Sequence, residues 1–196
     1  MEQKERVPGE LTVLGDFELT SQTMRVSDPC YDRDVWCCGT LDKCRMGTWE
    51  AGVLQVDMDD WGVRCAVLAV RHKAAGPDFS VIRQDTVCQN QDGWMEQPFY
   101  VGVDSGQAGF FDEAFYQNPS VFADMPAPEQ NLSPDDVWYN HVCDITLSDL
   151  GAGIIPHGAV SSSGFGDGCY ICYTHAGADG AIDFAWIRFL TPEAEG

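Results

Sequence analysis

Thr20-Ser21-Gln22 running on to Asp28-Pro29-Cys30-Tyr31 has a counterpart in Asp104-Ser105-Gly106 running on to Asp112-Glu113-Ala114-Phe115, in the same register. Further along, Gly47-Thr48-Trp49 opens a strand, turn and strand ending in Arg64-Cys65-Ala66-Val67-Leu68-Ala69-Val70. Gly168-Cys169-Tyr170 opens another that ends in Ala185-Trp186-Ile187-Arg188-Phe189-Leu190. Each half then reads as a strand, an Asp-led turn and a hairpin. The pattern predicts an internal duplication, residues 17–70 against 101–190, with the region 117–150 inserted in the second copy. The alternative is chance, because Gly, Asp and aromatic residues recur in any β protein. A true duplication would pack two halves around a pseudo-twofold axis into one mostly antiparallel sandwich or barrel.

The rest of the chain agrees with a mostly β, single-domain fold over residues 1–196. Strands are predicted at Phe17 to Thr20, Met24 to Ser27, Val63 to Val70, Phe99 to Val103, Val142 to Leu147, Cys169 to Thr174 and Ala181 to Leu190. These runs are β-branched or aromatic, and Gly, Asp, Asn and Pro separate them. Helical signals are few. Ser133-Pro134-Asp135-Asp136 before Val137-Trp138-Tyr139 offers a capping Ser, a Pro at the first helical position and acids at the positive dipole end. A second short helix is predicted through Pro119 to Met125. A chain of 196 residues suits one substantial core.

Eleven Lys and Arg stand against 31 Asp and Glu, a formal charge of -20. Such a charge repels phosphate backbones and anionic membrane surfaces, so nucleic acid and membranes are not expected as partners. A basic protein or a divalent cation suits it, and plain solubility is the bland explanation. No export or anchoring signal is read at Met1-Glu2-Gln3-Lys4-Glu5-Arg6, and the nine cysteines are odd in number. Reduced thiols and a cytoplasmic location are therefore expected.

Ser163-Gly164-Phe165-Gly166-Asp167-Gly168-Cys169-Tyr170 matches a Ser-Gly-x-Gly-Asp-Gly-x-Tyr signature, and Ala178-Asp179-Gly180 with Ile182-Asp183-Phe184 fits its sequel more loosely. On these residues the C-terminal third resembles the bacterial domain of unknown function 4241 family. Val103-Asp104-Ser105-Gly106-Gln107-Ala108-Gly109-Phe110-Phe111-Asp112 and Asp28-Pro29-Cys30-Tyr31 resemble the family's Gly-rich and early Asp-Pro elements. The resemblance implies a fold and brings no activity.

Several residues invite a chemical reading. Gly164 to Gly168 is not a phosphate cradle, because a strand follows it and Asp167 would face the anion. It is expected to be a turn, with glycines at positive φ and Asp167 bonding local amides. Asp57-Met58-Asp59-Asp60-Trp61-Gly62 opens like a calcium loop, but Trp61 and Leu68 occupy ligand positions, so an acidic hairpin turn is predicted. Cys169, Cys172 and His175 are weak metal candidates, since residues three apart on a strand face opposite ways. Ser105, Ser161, Ser162 or Ser163 with His141, His157 or His175 lack any motif that assembles them. Trp49 and Trp186 are assigned to the core, whereas Trp36, Trp61 and Trp94 stand in turn-like contexts and form a candidate recognition patch.

The function expected from these features is a non-catalytic acidic protein that binds a macromolecular partner, a basic protein above all, with no cofactor. The alternative is a small-ligand or metal-dependent enzyme whose carboxylates are Asp28, Asp112 and Asp167. A pair of such carboxylates facing each other would favour that alternative, and turn caps satisfying each Asp would oppose it.

Overall fold

Apolar side chains occupy both faces of the long strands, so the chain has to build more than one hydrophobic layer. The computed structural model describes residues 9–83, 92–124 and 134–190. One set of strands is β1 (Leu11–Leu19), β4 (Gly47–Asp57), β5 (Val63–His72), β6 (Trp94–Val103), β10 (Gly168–Ala176) and β11 (Ile182–Arg188). They form a six-stranded antiparallel sheet in the order β1-β4-β5-β11-β10-β6. The others are β2 (Met24–Ser27), β3 (Gly39–Leu41), β7 (Gln107–Asp112), β8 (Ala152–Ile155) and β9 (Gly158–Ser162). These make a five-stranded antiparallel sheet, β3-β2-β7-β9-β8. Neither sheet closes on itself, so the fold is a β sandwich and not the barrel that the sequence left open.

The alternation of side chains sorts the core into layers. Trp49, Leu68, Ile187, Val26 and Phe110 meet between the sheets. Their neighbours Leu54, Val67, Phe184 and Trp186 point to the far side of the larger sheet, where Phe79 and Ile82 cover them. On the far side of the smaller sheet, Phe111 and Val160 pack under Trp138 and Val142 of α1 (Pro134–Thr146).

That helix corrects one expectation, because Val142 to Leu147 was predicted as a strand. Trp138, Val142 and Ile145 repeat at helical spacing and cover the smaller sheet, and this burial overrides the β-branched composition. The second predicted helix is a 3-10 turn, Pro119–Phe122, with Asn118 accepting from the Ser120 amide. Both lie within the region read as an insertion. The Ser133 cap, Met125, Cys88 and the stretch Met1 to Arg6 fall outside the described residues.

Phe17 pairs with Trp49 and Leu19 with Gly47, while Val101 pairs with Tyr170 and Val103 with Gly168. Glu50 opposes Arg71, and Ile171 opposes Arg188. At the centre of the smaller sheet Val26 pairs with Phe110, and in the larger sheet Ala69 pairs with Trp186.

Candidate functional site

Asp28 follows β2 and Asp112 ends β7, its neighbour at the centre of the smaller sheet, and both are fully buried. The Asp28 carboxylate accepts from the amides of Cys30, Asp104 and Ser105 and from the Ser105 hydroxyl. Asp112 accepts from the amides of Thr20, Ser21 and Ala114 and from both the Thr20 and Ser21 hydroxyls. Each half therefore closes the turn of the other. Burial pushes the Asp112 carboxyl up, but the Ser21, Thr20 and Ala114 donors outweigh it and hold the group below its usual value.

The two carboxylates do not face each other. Met24 pairs with Asp112 and Ser27 with Gly109, so Asp28 and Asp112 lie at opposite ends of the β2–β7 pair, about 13 Å apart at ordinary strand rise. With their lone pairs committed to turn amides, they are not placed to share a water or a metal. Asp167 is exposed in the β9–β10 loop, near the Asp28 end.

That loop forms because Gly164 and Gly166 take positive φ and Ser163 folds back on Gly166, donating from its hydroxyl to the Gly166 carbonyl. Tyr170 then donates to the carbonyls of Ser163 and Gly166. The closing bonds thus come from Ser163 and Tyr170 where Asp167 was expected to supply them. The loop holds Phe165 out into solvent at 56% exposure, with its ring edge-on to Trp61 at 5.9 Å. Trp61 itself, 67% exposed, tops the acidic β4–β5 turn, where Asp57 accepts from the Asp59 amide.

At the other end of the same loop, Gly168 and Cys169 line a cleft of about 250 Å³ together with Tyr31, Val35, Trp36, Gly102 and Asp104. Trp36 is 85% exposed, the most open of the large apolar side chains described. Gly102 forms part of the floor, and a Cβ there would stand 2.8 Å from Cys37. Tyr31 is pushed up by burial and by the neighbouring Asp104 carboxylate. The Asp28 cap fixes the Asp104 backbone, so a buried carboxylate positions an exposed one.

Trp94 does not join this surface. It starts β6 at the opposite end of the sandwich, half-buried against His175, Phe184 and Trp186 at 4.9, 5.5 and 5.1 Å. The turn-like sequence concealed that an aromatic layer covers that side of the sheet. Of the weak metal candidates, Cys172 is buried between the sheets, Cys169 is exposed, and the His175 Nδ1 lies 2.6 Å from the Asp183 carboxylate. Among the described residues no group of three or more His, Cys, Asp or Glu is arranged to hold a metal ion. His141 stacks on Phe122 and His157 on Phe115, and Ser105 bonds Asp28, so the Ser–His arrangements are not assembled. Sequence reasoning missed Phe165, Tyr31 and Asp104 as surface-forming residues; Phe165 stands at the variable position of the Ser-Gly-x-Gly-Asp-Gly signature.

The thiols differ enough to be read chemically. Burial, with Asp28 beside it, pushes Cys30 up to about 12, although the residue is exposed. Burial also pushes Cys44 up to about 12 and Cys172 well above the usual range. At pH 8, iodoacetamide followed by peptide mapping should therefore label Cys169 well before Cys30. Equal labelling of the two would show that the Asp28 turn does not hold the Cys30 proton.

The family described as "Protein of unknown function (DUF4241)" matches residues 17–184, from within β1 to within β11. The match takes in the early Asp-Pro element and the Gly-rich segment as well as the C-terminal third that carried the specific resemblance. No curated protein and no solved structure shows a significant match to the chain. Among the described residues no helix is long and apolar enough to cross a membrane.

Proposed function

We infer the function of this chain, which belongs to the DUF4241 family of proteins of unknown function, from its own side chains: it is a non-catalytic acidic interaction protein that binds a basic protein. The carrying observation is the end of the sandwich where Trp36, Phe165 and Trp61 stand exposed. Exposed acids surround them, namely Asp32, Asp34, Asp57, Asp59, Asp60, Asp104 and Asp167. Aromatic anchors of this kind supply affinity, and a single-sign field of -20 steers a cationic partner. The eight cysteines described are free thiols, which supports action in the cytoplasm.

We also read the chain as one domain made of two copies. The support is the repeated registers, a strand order in the larger sheet that reads alike from either edge, and the reciprocal Asp caps. On this reading the acidic face belongs to one end only, because the second copy carries the inserted helix and a different loop.

The test is calorimetric titration with a hexa-arginine peptide at low salt. Asp57→Asn, Asp59→Asn and Asp60→Asn combined should weaken binding several-fold more than neutralising Asp92, Asp124 and Asp144, three acids exposed elsewhere. Equal losses from the two sets would reduce the effect to net charge and remove the face as its seat.

A further inference from the structure

Resting on that reading of the acidic end, we propose that the cleft between Trp36, Tyr31 and Asp104 receives one arginine side chain of the partner. Its walls combine two things a guanidinium uses: a flat aromatic face and a carboxylate. Trp36 supplies the face and Asp104 the charge, with Tyr31 completing the aromatic wall. No Lys, Arg or His is among the residues that line it. Gly102 and Gly168 form part of the floor, and the cleft holds about 250 Å³, room for one long side chain.

The surrounding structure holds these groups in place before any partner arrives. Asp28 clamps the Asp104 and Ser105 amides at 2.9 and 2.7 Å. The loop bearing Trp36 is tied on one side by the Gly102 amide donating to the Cys37 carbonyl at 2.7 Å. On the other, Tyr116 donates to the Tyr31 carbonyl at 2.7 Å. An exposed Trp on a loop fixed at both ends keeps its face available, and preorganisation of that kind reduces the entropy lost on binding. Arginine fits better than lysine, because a planar guanidinium stacks on the indole while its fork meets the carboxylate.

The probes are hexa-arginine, hexa-lysine and hexa-citrulline peptides, titrated calorimetrically into the full chain at low salt. Hexa-arginine should bind about tenfold more tightly than hexa-lysine, and hexa-citrulline should not bind. Trp36→Ala and Asp104→Asn should each remove about tenfold of the hexa-arginine affinity. Cys169→Phe, at an exposed position lining the cleft, should do the same by filling it while both residues remain in place. Thermal melts establish that the variants remain folded, as expected for such open side chains. Equal affinity for the arginine and lysine peptides would overturn the guanidinium assignment. If the Asp57, Asp59 and Asp60 substitutions weaken binding while the cleft variants do not, the acidic face stands and the cleft proposal falls. If neither set has an effect, both fall.

Discussion

Asp112→Ala is expected to cost the native state about 3–5 kcal/mol, measured as the loss of unfolding free energy in urea. The side chain is fully buried and answers three backbone amides, Thr20, Ser21 and Ala114, together with two hydroxyls. The hydroxyls can turn to other acceptors, but the amides are fixed by the chain and would be left without a partner. Asp28→Ala, which strips the Cys30, Asp104 and Ser105 amides, should cost a similar amount if the two turns are equivalent. Costs that differ by more than about 2 kcal/mol would count against equivalence, and a loss below about 1 kcal/mol at Asp112 would show that water replaces the carboxylate. The acid limb gives a further check. The folded Asp112 carboxyl lies below its ordinary value, so its contribution is complete above the unfolded value near ~3.9 and is lost as pH falls through the folded one. The gap between wild type and Asp112→Ala should therefore be constant from neutral pH down to about pH 4 and narrow as the pH falls further.

The second large effect concerns Arg25, a buried cation in the middle of β2. Its Nε donates to Glu113 at 2.6 Å and a terminal nitrogen to the other carboxylate oxygen at 3.1 Å. The remaining nitrogen reaches the Arg33 carbonyl and the Cys38 sulfur, and the guanidinium lies over the Tyr116 ring at 5.2 Å. Arg25→Ala leaves a cavity and a half-buried Glu113 whose other partner is the exposed Arg33, so a loss of about 3 kcal/mol is expected. Arg33→Ala, which removes a more exposed guanidinium that pairs with Glu113 and donates to the Glu113 and Tyr116 carbonyls, should cost clearly less than Arg25→Ala. Similar values for the two variants would mean that the Glu113 charge is hydrated regardless of Arg25. The difference bears on binding too, because the Arg33 and Cys38 contacts hold the segment that carries Trp36.

How much of this was legible varied with how local each cause is. Met24 to Ser27 was read with its observed bounds, since four residues between turn signals leave few alternatives. The strand β7 was not read at all. Its Gly109 breaks the composition, yet a Cβ there would stand 2.4 Å from Phe111 and 2.5 Å from the Ala159 carbonyl, so the glycine is what lets β9 come close. Val142 to Leu147 misled because its partner layer is contributed by distant strands, and tertiary burial decided the period. At the site, Trp36 and Trp61 could be picked out as tryptophans among turn residues. Asp104 could not, because the pairing of two Asp-led turns drew attention to Asp28 and Asp112, whose carboxylates are used inside the fold. Trp94 looked like its two companions, and only the packing of Phe184 and Trp186 separates it from them.

The reciprocal caps also set an order of events during synthesis. The turn at Thr20 and Ser21 waits for an aspartate 92 residues further along the chain, and the turn at Asp104 and Ser105 needs one 76 residues behind it. A nascent N-terminal half leaving the ribosome therefore carries an open turn that nothing in its own sequence can close. Loop closure over such separations costs entropy before any contact rewards it, which delays the closing of both turns. β1, β4 and β5 can pair among themselves, but their turn stays open until Asp112 has emerged, and that interval is when the chain has most need of a chaperone.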